Sequence, residues 1–68
     1  MRFEVYVDGK SEFRWRLWSK NDKIVADSGE GYQSKQHCVD AIALIRREVT
    51  TAPVVQRTAA GQVEVISV

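Results

Sequence analysis

Within Phe13-Arg14-Trp15-Arg16-Leu17-Trp18, a period of two sends Phe13, Trp15 and Leu17 one way and Arg14, Arg16 and Trp18 the other. Arginines that take phosphates, beside aromatic rings that stack bases, are the ingredients of a nucleic-acid platform. The alternation of Arg2 to Val7 adds Arg2, Glu4 and Tyr6 to the same side, and Glu12, Val25 and Asp27 complete it. Tyr6, Arg14, Arg16 and Trp18 are therefore the candidate binding face, with Tyr6 and Trp18 as its aromatic anchors. Charge weighs against a strong version of that reading. Three arginines meet three carboxylates on this side, so the face is close to neutral. Cross-strand pairs of opposite charge stabilise a sheet by about 0.2–1 kcal/mol each. The balance favours a solvated, charge-paired sheet face over a phosphate platform.

Three other groups of residues invite a chemical reading. Gly29-Glu30-Gly31, followed by Ser34 and Lys35, places glycines before a helix, where anions can bind. Neither the dinucleotide fingerprint nor the P-loop pattern is complete, and Glu30 would repel a phosphate. A strand-to-helix turn that needs positive φ explains these glycines better. His37 and Cys38 are adjacent, so on a helix they point about 100° apart and cannot form a thiol–imidazole dyad. Asp27, Ser28 and His37 have the residue types of a triad, but nothing in their spacing supports one. No catalytic residue, metal ligand or cofactor site is assigned.

These side chains are positioned by a short series of elements. Arg2 to Val7, Glu12 to Trp18 and Lys23 to Ser28 alternate as strands, with turn signals at Asp8-Gly9 and Asn21-Asp22. They predict an antiparallel meander over 2–28. From Ser34, a good N-cap, the apolar spacing becomes helical. Cys38, Ala41, Ile42, Ile45 and Val49 form one stripe, Arg46 and Arg47 lie near the end, and Pro53 follows. A helix over about 34–49 is predicted. Its stripe should pack on Phe3, Val5, Val7, Phe13, Trp15, Leu17, Ile24 and Ala26. Leu44 lies off the stripe and marks a candidate contact with a second chain. Val54-Val55 is a short extended piece, Thr58 to Gly61 a turn or linker, and Gln62 to Val68 is β-prone, which gives a C-terminal strand over about 62–67. Such a strand can cover an open sheet edge. The residues from Thr50 to Ala60 reach up to about 36–40 Å when extended, enough to arrive at a neighbouring subunit.

Composition bounds the rest. A chain of 68 residues holds one domain, and a core of that size rarely supplies more than about 3–5 kcal/mol. One cysteine and one histidine leave no internal disulfide and no ordinary zinc site. Self-association, or an unusually good small core, is what remains to hold the fold. Ten basic residues against nine acidic ones are unlike the basic footprint of a dedicated nucleic-acid binder. No stretch has the length of a signal peptide's apolar run or of a membrane span. With a single cysteine, this points to the cytoplasm and to no membrane partner.

Two segments, Phe13 to Tyr32 and Tyr32 to Glu48, resemble the YegP-like family, small bacterial proteins of unknown function. The second carries a Tyr-x-Ser-Lys helix entry and a cysteine on the first turn, and the likeness covers about residues 3–49. The resemblance implies an α+β fold, a β-β-β-α-β unit. It also implies that two units share one continuous sheet and exchange C-terminal strands, so a single-unit chain should be a homodimer. Asp22 departs from the family, which often has a turn glycine there. Gln62 to Ile66 is the expected exchanged strand, and Val54 to Arg57 is the alternative. The family offers no activity to carry over. The expected function is a non-enzymatic binding or accessory module with an unidentified protein or ligand partner. The alternatives are a nucleic-acid platform on the polar sheet face and an enzyme whose site lies at the subunit interface.

Overall fold

The computed structural model describes residues 1–67. The order is β1 (Arg2–Val7), β2 (Phe13–Trp18), β3 (Ile24–Asp27), α1 (Lys35–Glu48), a 3-10 turn (Val49–Thr51), β4 (Val54–Arg57) and β5 (Val63–Ile66). β1, β2 and β3 form an antiparallel meander, and β4 pairs with β5 in a separate two-stranded sheet. The unit is thus β-β-β-α-β-β. The tail holds two strands where one was expected, because both tail segments considered for the exchanged strand form and pair with each other. The β-prone reading extended to Val68, which lies outside the described residues.

The three hairpin loops share one design. Each is a five-residue link whose first residue donates its backbone N–H to the carbonyl of the fifth and accepts at its own carbonyl from the fourth N–H: Asp8 with Glu12 and Ser11, Ser19 with Lys23 and Asp22, Thr58 with Gln62 and Gly61. The first side chain also accepts from the fifth backbone N–H, at 3.0 Å for Asp8, 3.3 Å for Ser19 and 3.2 Å for Thr58. The fourth residue turns the chain with positive φ: Ser11 at 62°, Asp22 at 57° and Gly61 at 84°. In the first loop the left-handed residue is therefore Ser11, not Gly9. A side-chain oxygen supplies the local acceptor that stabilises such turns.

The turn signal at Asp8-Gly9 marks a five-residue loop, whereas the expectation of positive φ at Gly29 and Gly31 fails. Neither Gly29 nor Gly31 has positive φ. Gly31 is required for a different reason. A Cβ there would lie 2.8 Å from the Glu12 Cβ, because Tyr32 crosses β2 closely. The Phe13 and Tyr32 backbones exchange hydrogen bonds of 2.7 and 2.8 Å. The helix entry follows at once. Ser34 is extended, at φ −120° and ψ 146°, and its hydroxyl accepts from the His37 N–H at 3.0 Å. Arg46 and Arg47 occupy the last turn, where cations suit the helix dipole.

The core is narrow because α1 packs on β1 and β2 and does not reach β3. Trp15 and Cys38 are the buried apolar residues among those described. Phe3 meets Trp15 edge-on, with ring centroids 5.5 Å apart. Val5, Phe13, Leu17, Ala41, Ile42 and Ile45 are half-buried around them. Four residues expected in the core are exposed instead: Val7, Ile24, Ala26 and Val49. Val7 ends its strand and Val49 lies past the helix, in the 3-10 turn. β3 has no helix above it. A bulge also shifts the register between Leu17 and Trp18, which sets Ile24 opposite Trp18 and so on the polar face. Ser28 secures the far side of Trp15. Its N–H donates to the Trp15 carbonyl at 2.9 Å, and its buried hydroxyl accepts from the Trp15 N–H at 3.2 Å.

Gly31→Ala should lower stability by about 1–3 kcal/mol, the usual cost of overpacking a site that cannot move freely. Gly29→Ala, with nothing within 4 Å of its added Cβ, should be close to neutral. Urea unfolding of the two variants checks the contrast. Ser11→Gly should raise the midpoint, since glycine removes a left-handed cost of about 1–2 kcal/mol at the expense of unfolded-state entropy.

Candidate functional site

The β1–β2 register sets Arg2 opposite Trp18, Glu4 opposite Arg16 and Tyr6 opposite Arg14, while Asp27 of β3 stands opposite Arg16. Tyr6, Arg14, Arg16 and Trp18 thus share one sheet face, each half-buried. Contacts run mostly along the diagonals of this lattice. The Trp18 indole N–H donates to Glu4 Oε1 at 3.1 Å. The Arg16 guanidinium lies 4.1 Å from the centre of the Tyr6 ring. Arg2 lies 5.3 Å from the centre of the Trp18 ring and also bonds Asp22 at 3.1 Å. Long side chains reach diagonal partners readily on a pleated surface, and a cation over an aromatic face gains about 0.5–1 kcal/mol at an exposed site. Trp18 therefore belongs to the lattice through Glu4 and Arg2.

Arg14 is held most firmly. Its Nε donates to Asp8 Oδ2 at 2.6 Å, and one terminal nitrogen reaches the Ser28 carbonyl at 3.4 Å. The Asp8 carboxylate also accepts from the Lys10 and Glu12 backbone N–H groups, at 2.8 and 3.0 Å. The Arg14 hydrogen bond, then that of the Glu12 N–H, holds the Asp8 carboxyl below its ordinary value. The sequence pattern places Asp8 in a turn. The signal that it also belongs to the face was its place two residues after Tyr6, where β1's alternation would continue. Arg16 differs from its neighbours: among the described residues it forms no ion pair within 4 Å.

The other candidate groups do not converge. Burial pushes the Cys38 thiol up, which keeps it neutral, and its neighbour His37 is exposed. The Ser28 hydroxyl is engaged with the Trp15 backbone. Burial, then the nearby Glu30 carboxylate, raises the Tyr32 phenol. No group of three or more His, Cys, Asp or Glu side chains gathers in metal-binding geometry among the described residues. No described helix is long and apolar enough to cross a membrane. A cleft of about 390 Å³ opens beside the start of β1, lined by Met1, Arg2, Phe3, Leu17, Ile42 and Arg46.

Asp8→Asn should lower stability at neutral pH and flatten its response to acid. In the parent chain the ion pair contributes fully above 3.8, the ordinary value for this carboxyl. As pH falls below that, the unfolded carboxylate takes its proton first. The contribution then drains away until the pH reaches the lower native value. Urea titrations from pH 7 down to strong acid check this. Parent and variant should converge in acid, and a constant gap across that range would contradict the assignment.

Residues 8–56 match the family model described as a domain of unknown function, DUF1508. A UPF0339 protein from Neisseria meningitidis serogroup B is 48% identical over 54 residues, which are 79% of this chain and 95% of that relative. One from Methanosarcina acetivorans is 33% identical over 54 residues, 79% of this chain and 91% of its own. A UPF0339 protein from Stutzerimonas stutzeri is 32% identical over 59 residues, which are 87% of this chain but 52% of that relative. The NMR solution structure of a protein from Haloferax volcanii matches with a TM-score of 0.76 at 45% identity, over 81% of this chain and 92% of that one. β2, β3 and α1 lie within the family match, β4 lies within it but for its last residue, and β1 and β5 lie outside it. By this match and these relatives the chain belongs to the DUF1508 family, the YegP-like UPF0339 proteins, whose function is unknown.

Proposed function

We propose that the chain is a small non-enzymatic binding or accessory module that works as a homodimer, with a continuous sheet and an exchanged C-terminal segment. Unburied surface is the observation that carries this. The chain exposes 5602 Å², whereas a folded monomer of 7.7 kDa exposes about 4,300 Å². The excess, roughly 1,300 Å², is larger than the about 800 Å² each partner contributes to a standard interface. The radius of gyration agrees: 14.6 Å, against about 11 Å for a compact chain of this length. The Stutzerimonas relative, of which this chain covers 52%, has room for a second unit in one polypeptide. A reduced, buried Cys38 suits the cytoplasm.

In this reading the polar lattice is the contact surface, and the dimer presents it twice. Arg16, Tyr6 and Trp18 are the residues with capacity to spare, since Arg14 is tied to Asp8 and Ser28. The same engagement of Arg14, with the near-neutral charge of the face, weakens the nucleic-acid alternative. The enzyme alternative lacks a convergent set of polar groups in the single chain and would need one assembled between subunits.

Sedimentation equilibrium at micromolar concentration should give the mass of two chains, and a single-chain mass would sink the homodimer. Binding to a single-stranded oligonucleotide at low salt decides the alternative. The module reading expects none. Salt-dependent binding that is lost in Arg16→Ala would replace it with the platform.

A further inference from the structure

The charges of the chain are not spread evenly. Arg2 of β1 bonds Asp22 at 3.1 Å, which brings the β2–β3 loop, with Lys20 and Lys23, beside the start of β1. Arg46 of α1 lines a cleft together with Arg2, so the last turn of the helix, with Arg47 and Glu48, comes to the same end. Arg2, Lys20, Lys23, Arg46 and Arg47 thus gather there against two acids, Asp22 and Glu48. Both acids are already engaged, Asp22 by Arg2 and Glu48 by Arg47 at 3.3 Å. Lys20, Lys23 and Arg46 form no ion pair within 4 Å among the described residues. A chain with a formal charge of +1 therefore has one electropositive end.

The cleft opens in that end. Its volume of about 390 Å³ falls within the range of about 300–1,000 Å³ usual for small-molecule sites. Half-buried Phe3, Leu17 and Ile42 supply an apolar floor, with Met1 beside them and Arg2 and Arg46 as the polar lining. No carboxylate lines it among the described residues. Phe3 and Leu17 are cross-strand partners on the helix side of the sheet, so the cleft lies on the side away from the arginine lattice. Its two arginines are not equivalent. The Arg2 guanidinium lies over Trp18 and is held by Asp22. Arg46 is exposed and unpaired among the described residues, so its planar donors are free to turn onto a ligand.

We propose that this cleft binds a small organic anion with an apolar body, an aliphatic or aromatic carboxylate. The hydrocarbon lies on Phe3, Leu17 and Ile42. The carboxylate pairs with Arg46 at the rim, in the field of Arg2, Lys20 and Lys23. A guanidinium fork matches the two oxygens of a carboxylate, and burial of the hydrocarbon adds an attraction that an inorganic anion cannot gain. The site is separate from the contact surface proposed above and needs no second copy of the chain.

Titration of the isotope-labelled full chain with sodium octanoate, followed by NMR, tests this. Saturable shifts are expected at the amides of Phe3, Leu17, Ile42 and Arg46. Trp15 fluorescence should follow the same curve, because Phe3 meets Trp15 edge-on. Acetate has the charge without the body, and octanol the body without the charge; each should bind at least about tenfold more weakly. Arg46→Gln should weaken octanoate by about tenfold, the order expected for loss of a charge-assisted pair, and leave octanol unchanged. Arg46 is exposed, so the variant should keep its fold, read by its helical circular dichroism. No saturable shift at the four amides, octanol binding as tightly as octanoate, or an unchanged octanoate affinity in Arg46→Gln would each overturn the proposal. Shifts confined to Tyr6, Arg16 and Trp18 would also overturn it, by moving the anion to the lattice. Sedimentation decides the homodimer separately, so failure of one reading is distinct from failure of the other.

Discussion

The structure depends on the reach of one helix. Among the described residues α1 is the element that covers the meander, and it spans β1 and β2 but not β3. Trp15, on the central strand and beneath that helix, becomes the anchor of the core, with Phe3 at its edge and Ser28 bonded to its backbone. In the single chain the apolar side chains of β3 and of the tail hairpin stay exposed. In a chain of this length the hydrophobic contribution is limited by available cover, not by any shortage of apolar residues.

The polar side of the sheet compensates for little of that shortage, yet it is ordered. Glu4, Arg16, Tyr6, Arg14 and Asp8 alternate across β1, β2 and the first loop, so cations sit beside carboxylates or aromatic faces. Exposed pairs of this kind contribute modestly. Their larger effect is on register, because a slip of one residue would carry the arginines onto the helix side. The lattice also divides its members by availability. Arg14 is bound into the turn by Asp8, while Arg16 rests on Tyr6 and forms no ion pair among the described residues.

Period and spacing carried much of this into view. The strands of the meander, the start of α1 at the Ser34 cap and the shared face of Tyr6, Arg14, Arg16 and Trp18 all follow from alternation, capping and turn residues. What alternation could not display was the bulge at Leu17/Trp18, which moves Ile24 to the other face without leaving a mark in the pattern. The partner of Arg14 escaped notice because Asp8 has two jobs, and the turn was the more obvious one. The requirement at Gly31 depends on how closely two distant backbones approach, a property of packing that local sequence does not encode. In the tail, two short apolar runs around a Thr-Ala-Ala-Gly turn were each legible as extended, but their mutual pairing was a choice among several edges.

The repeated loop design bears on how such a molecule comes together. Asp8, Ser19 and Thr58 each fix their own hairpin through bonds confined to five residues. No distant contact is needed to set those registers, and hairpins of this kind form in about 1–10 μs. The encounter of two protein molecules at micromolar concentration is far slower. The pairing of β4 with β5 is therefore set within the chain itself, and in the proposed dimer a partner would decide where the hairpin docks, not how its strands register.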